Sequence, residues 1–150
     1  MTTKITNTSH TLSLLPYEVK KQIISGNYGI IFNTKVDMKK RLFILLAMLG
    51  IPSNISGYDY IKDTLMLGIS NNYKIPAISK NLYPKIAKNY NKNPAQIERC
   101  IRHAITKSMD RASGEILYFI FGETLNSLKY TPTNSEYITQ ILKFLESMCN

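Results

Sequence analysis

The run Asn93-Pro94-Ala95-Gln96, followed by an apolar residue at every third or fourth position, most narrows what this chain can fold into. Asn93 can cap a helix, Pro94 suits a first helical position that needs no donor, and Gln96 completes a capping-box spacing. Ile97, Ile101, Ala104, Ile105 and Met109 then recur at i, i+4, i+7, i+8 and i+12, one stripe of a helix bordered by Cys100. Glu98, Arg99, Arg102, His103 and Thr106 fall outside that stripe. The pattern predicts a helix from Asn93 or Pro94, buried on one face, with hydrogen-bonding side chains turned outward near its N-terminus.

Ile78 to Tyr90 reads as a preceding helix, so Tyr83 to Ile105 has the layout of two helices joined by a tight turn. Pro84 conflicts with one continuous helix there and predicts a kink, or a break after Tyr83. In a helix-turn-helix, the N-terminal part of the second helix enters the major groove. Arg donates two bonds to the O6 and N7 of guanine, and Glu accepts from the N4 amino group of cytosine. Glu98 and Arg99 therefore suit adjacent guanine and cytosine steps. His103 suits a base edge or a phosphate, according to its protonation and tautomer. A blander reading fits the same spacing: Glu98 and Arg102, at i and i+4, form an ion pair on a solvated face worth about 0.2 to 0.5 kcal/mol, and His103 is a packing histidine.

Charge moves the balance toward nucleic acid. Between Lys74 and Arg111 there are nine basic residues against two acidic, a net of +7 within a chain whose total is +9. Such a concentration is the footprint expected of a phosphate-binding surface. Lys88, Lys92, Asn93, Gln96, Arg102 and Lys107 are the candidates for backbone contact or for support of the reading helix.

The rest reads as one compact domain, since 150 residues at 44% hydrophobic composition are enough to bury a core. Asp37 is placed to cap a helix from Met38 to Leu49, ended by Gly50 and Pro52, with Leu42 to Leu49 in the core. Tyr58 to Asn71 reads as a helix whose stripe is Ile61, Leu65 and Ile69, broadened by Met66 and Leu67. Glu115 to Phe121 and Asn134 to Met148 follow, the last burying Tyr137, Ile138, Ile141, Leu142 and Leu145. Upstream, Pro16 to Ser25 suggests a short helix, Tyr28 to Phe32 a connector, and the first ten residues disorder. The expectation is an all-α fold, a compact bundle of about six to seven helices containing a helix-turn-helix. The ten tyrosines are spread over several helices, which favours core packing over a base-stacking surface.

Several classes are disfavoured. The longest apolar run, at eight residues, is far short of a membrane span. Cys100 and Cys149 form no metal pattern, and with no secretion signal they suggest a reduced, cytoplasmic protein. Neither a phosphate loop, a nucleophile elbow nor a ligand cluster is present to suggest an enzyme or a cofactor.

Four separated stretches carry a family likeness. IERCIRHAI (97–105), LYPKIAKNYN (82–91), GIPSNISGYDYI (50–61) and PTNSEYI (132–138) resemble the C-terminal effector domain of the stage-zero sporulation response regulator family of endospore-forming bacteria. The likeness runs from about Asp37 to about Leu145. It implies an all-helical domain of about six helices that binds short boxes similar to TGTCGAA, often in tandem, and activates or represses transcription. It also implies base or near-base contacts by Glu98, Arg99 and His103, and for Arg102 either base reading or, equally, a phosphate or structural role. Ala95 and Gln96 stand where relatives commonly carry a small hydroxyl and a basic residue, which implies weaker phosphate anchoring with a similar base preference. Implied partners are double-stranded DNA, a second copy on tandem boxes, and RNA polymerase through Asp110 to Gly122, although the apolar EILYFIFG in that segment fits core packing just as well.

Relatives usually carry an N-terminal receiver domain, whereas 36 residues precede the matched region here. Asp37, Asp59 and Asp63 belong to the effector-like helices. The expectation is a stand-alone effector, 37–150, with an extension, 1–36, that is not under direct phosphorelay control. A second reading is a protein-binding regulator that docks through the Pro16 to Ser25 helix, or sequesters a transcription factor, without reading bases; that helix fits packing against its own domain equally well.

Overall fold

In the computed structural model, which describes residues 37–122 and 131–147, the first helix begins where the sequence places its cap. The Asp37 carboxylate accepts from the Lys40 amide at 2.9 Å and opens α1 (Met38–Met48). Leu42 and Ile44 to Leu49 are buried and Phe43 is half-buried, so this helix is enclosed on nearly every side. Gly50, at φ 72°, then turns the chain through the left-handed region that only glycine enters without strain.

The second helix, α2 (Ser56–Ser70), starts two residues before the expected Tyr58. Its start is poorly signalled because Ile55 stands at the cap and contributes no side-chain bond. Ile61 and Leu65 are fully buried, with Met66, Leu67 and Ile69 half-buried around them.

The Pro84 conflict is settled by a π-helical turn over Ile78–Leu82, followed by α3 (Tyr83–Tyr90). The break therefore precedes Tyr83 rather than following it. The Leu82 and Tyr83 amides reach back five residues, to the carbonyls of Ala77 and Ile78. Pro84 is thereby left in the first turn of α3, where its missing N–H is not needed.

α4 (Pro94–Arg111) is followed by α5 (Gly114–Phe121) and α6 (Asn134–Ser147). Ser113 caps α5 through its hydroxyl, at 3.1 Å from the Ile116 amide, one residue earlier than expected. Thr133 and Glu136 cap α6 reciprocally, each bond 3.1 Å long. The expected Pro16 to Ser25 helix, the connector after it and the terminal Met148 lie outside the described residues. Among the described residues the fold is six α-helices and one π-helical turn, with no strand.

α2 packs on α4, and α6 lies across α2, α4 and α5. All five core positions expected on α6 are buried. Tyr137 is fully buried there, its ring 5.2 Å from that of Phe121 and its hydroxyl 2.6 Å from that of Ser108 on α4. Ser108→Ala should leave the buried phenol without its partner and destabilise by about 1 to 3 kcal/mol in urea titrations. Adding Tyr137→Phe should recover part of that loss. A double variant whose loss equals the sum of the single losses would show that the two hydroxyls act independently.

Candidate nucleic-acid interface

The helix-turn-helix is assembled by local bonds. α3 ends at Asn91, at φ 55° and ψ 46°, a left-handed conformation that asparagine tolerates better than most residues. The next amide, Lys92, donates back to the Ala87 carbonyl at 2.9 Å and closes the helix end. The next residue, Asn93, caps α4: its side-chain oxygen accepts from the Gln96 amide at 2.9 Å, and the Gln96 side chain accepts from the Asn93 amide at 3.0 Å. The expected capping box is thus present, and it fixes where α4 starts.

α2 holds the pair from behind. A Cβ on Gly57 would lie 2.2 Å from the Cys100 carbonyl oxygen and 2.8 Å from the Ala104 Cβ, so α2 and α4 approach backbone to backbone. The Tyr90 hydroxyl, at the end of α3, donates to the Asp63 carboxylate, and its ring meets Tyr60 edge-on at 4.8 Å. Burial, then the bond to Asp63 and its negative charge, raise the Tyr90 phenol above its ordinary value.

Ile97, Ile101, Ala104 and Ile105 are buried, while Met109 and the bordering Cys100 are half-buried. At 100° per residue, Glu98, Arg102, Thr106, Arg99 and His103 span roughly 140° of the opposite side. Arg99 and His103 are exposed, one turn apart, with no salt bridge to another described residue. Glu98 is paired with the Arg102 guanidinium, their side chains 40% and 65% exposed, so the ion pair allowed by the spacing does form. In that solvated setting it contributes little to stability, but it occupies part of the Glu98 carboxylate and turns Arg102 along the helix.

Among the supporting candidates, Lys88, Lys92, Asn93 and Gln96 are exposed and Lys107 is half-buried. Asn93 and Gln96 spend their side-chain oxygens on the cap, which makes them supports of the α4 N-terminus.

Sequence reasoning missed Asn134. Its side-chain amide donates to the Tyr83 hydroxyl at 2.9 Å and to the Glu98 carbonyl at 3.1 Å, bridging α6 to both helices of the motif. Locally, Asn134 is the first residue of a helix already capped by Thr133, and nothing in that stretch indicates the long-range bonds.

An all-helical bundle that offers a capped, basic, hydrogen-bonding helix across a tight turn from its predecessor is a helix-turn-helix DNA-binding protein. The sequence profile of the family described as "Sporulation initiation factor Spo0A C terminal" matches residues 43–145, from within α1 to near the end of α6. The chain belongs to that family and carries its DNA-binding sporulation-regulator domain. Among the described residues, no helix is long and apolar enough to cross a membrane.

Proposed function

We propose that this protein regulates transcription by reading short TGTCGAA-like boxes in double-stranded DNA. In this reading Arg99 donates to guanine, Glu98 accepts from cytosine, and His103 contacts a base edge or the neighbouring phosphate. The observation that carries it is the exposed Arg99 and His103 one turn apart on α4, just beyond a fully formed cap. Lys88, Lys92 and Lys107 supply phosphate contacts, Asn93 and Gln96 hold the helix end, and Arg102 steadies Glu98. The effector unit is 37–150, acting in the cytoplasm and pairing with a second copy on tandem boxes. Its α5 face, where Tyr118 is 65% exposed, is the surface for RNA polymerase.

The test is fluorescence anisotropy with a duplex carrying two such boxes and with a scrambled duplex, each across a salt series. The box should bind more tightly. Arg99→Ala should weaken box binding by about 1 to 3 kcal/mol and leave the scramble nearly untouched. Equal, steeply salt-dependent binding to both duplexes by the unaltered protein would overturn base reading.

A further inference from the structure

Of the residues that touch the outward face of α4 from elsewhere in the bundle, Asn134 has the least obvious local purpose. It is buried, at 7% exposure, yet its helix needs nothing from it, because Thr133 already provides the cap. Both N–H bonds of its side-chain amide are directed away from α6. One reaches the hydroxyl of Tyr83, the first residue of α3; the other reaches the backbone carbonyl of Glu98, in the first turns of α4. Asn134 also lies in the wall of a cleft of about 440 Å³ beside the reading helix, with Tyr83, Glu98, Arg102 and Thr106.

We propose that Asn134 is a positioning residue for base reading, setting the rotation and depth of α4 against α3 by holding the Glu98 peptide and the Tyr83 phenol at once. This rests on the function proposed above and adds a determinant of specificity outside the helix-turn-helix itself. The cap fixes where α4 starts and the close approach to Gly57 fixes its distance from α2 at Cys100 and Ala104, but neither bonds the Glu98 peptide. A roll of a few degrees displaces the tips of Glu98 and Arg99, because both side chains are long and end far from the helix axis. A tie to the Glu98 peptide acts at the residue where that roll matters most. The lysines of α3 and the turn are indifferent to it, because phosphate contacts tolerate small reorientations that two-bond base contacts do not. Asn134 therefore sharpens the choice of sequence while leaving general attraction to DNA unchanged.

The experiment compares the full chain with Asn134→Ala and Asn134→Asp, the latter keeping the shape but presenting an oxygen to the Glu98 carbonyl. Anisotropy on the box and scrambled duplexes is read beside amide hydrogen exchange and a circular-dichroism melt. Both variants should be folded at 20 °C, with scramble affinity within twofold of the unaltered protein and the box-to-scramble ratio about tenfold lower. Exchange should quicken over residues 97–103 and stay unchanged in α1. An unchanged ratio in a folded variant overturns the inference, and so does a parallel loss on both duplexes. Should neither Asn134 variant fold, Tyr83→Phe decides the matter: it removes one of the two acceptors and should lower the ratio about threefold, an unchanged ratio overturning the inference. If the unaltered protein itself shows no preference, the proposed base reading fails, and the exchange data alone decide whether Asn134 positions α4. Faster exchange confined to 97–103 supports the tie, and uniform or unchanged exchange overturns it.

Discussion

Gly57→Ala is expected to destabilise this protein by roughly 3 kcal/mol, the upper end of the usual overpacking penalty. In an unconstrained helix interior the same change would stabilise by about 1 kcal/mol, since alanine has the best helix propensity and glycine nearly the worst. The sign reverses because the added methyl would meet the Cys100 carbonyl oxygen at 2.2 Å, the Cys100 carbonyl carbon at 2.9 Å and the Ala104 Cβ at 2.8 Å. None of these is the tip of a flexible side chain. Relief requires α2 and α4 to move apart, which opens the core on either side and shifts the reading helix relative to α3. Box binding should therefore weaken along with stability. Gly114→Ala is the matched control: a Cβ there meets nothing within 4 Å, and the position opens α5. Urea titrations of the two variants should show a large fall in midpoint for Gly57→Ala and none for Gly114→Ala. Equal midpoints would mean that α2 and α4 do not cross this closely.

The contrast between these glycines marks the boundary of what the sequence discloses. The start of α4 was legible because its signals are local: Asn93, Pro94 and Gln96 lie within four consecutive residues, and the cap they form is the one expected. The apolar stripes of α4 and α6 were legible because burial has a period. By contrast, α2 begins at Ser56 behind Ile55, which supplies no cap bond, so its first turn, with Gly57 in it, carried no start signal. The need for glycine there is set by Cys100 and Ala104, more than forty residues away in the chain. Asn134 is hidden for the same reason, since its partners belong to α3 and α4. Pro84 was an intermediate case. The sequence predicted a kink or a break after Tyr83, whereas the structure absorbs the conflict in a π-helical turn over Ile78–Leu82, before Tyr83. For the candidate site, the spacing showed which side chains share a face. It also allowed Glu98 to pair with Arg102, and the structure forms that pair while Arg99 carries no salt bridge to a described residue.

Tyr58, Tyr60, Tyr83 and Tyr137 are in the core as the sequence suggested, whereas Tyr118 is exposed, and the enclosed tyrosines should make the fold sensitive to alkali. Tyr58, Tyr60, Tyr83, Tyr90 and Tyr137 all hold their phenolic protons above the ordinary 10.0, burial being the leading cause in each. At Tyr58 the neighbouring Asp59 adds to burial and the value reaches about 12. At Tyr83 and Tyr137 the hydrogen bonds with Asn134 and Ser108 act the other way and only partly offset burial. In the unfolded chain these groups release their protons near 10, so between that point and the folded values the native state binds more protons than the unfolded one. Their contribution to stability is therefore complete below about pH 10 and is lost as pH rises through that window, at Tyr58 up to about 12. Each phenol that stays protonated in the fold while ionised in the unfolded chain adds up to about 1.4 kcal/mol per pH unit to the slope of that loss. A domain with a typical stability of about 5 to 15 kcal/mol has little margin against that slope. Urea midpoints should be nearly level from pH 8 to 9 and fall steeply above 10, with cooperative unfolding before pH 12. Tyrosine ionisation followed by ultraviolet absorbance should coincide with the unfolding. Tyr137→Phe should remove one proton from the slope, lowering it by about 1.4 kcal/mol per unit. A midpoint that stays level through pH 11, or phenols that titrate at their ordinary value while the helices persist, would show that these side chains are not enclosed by the bundle.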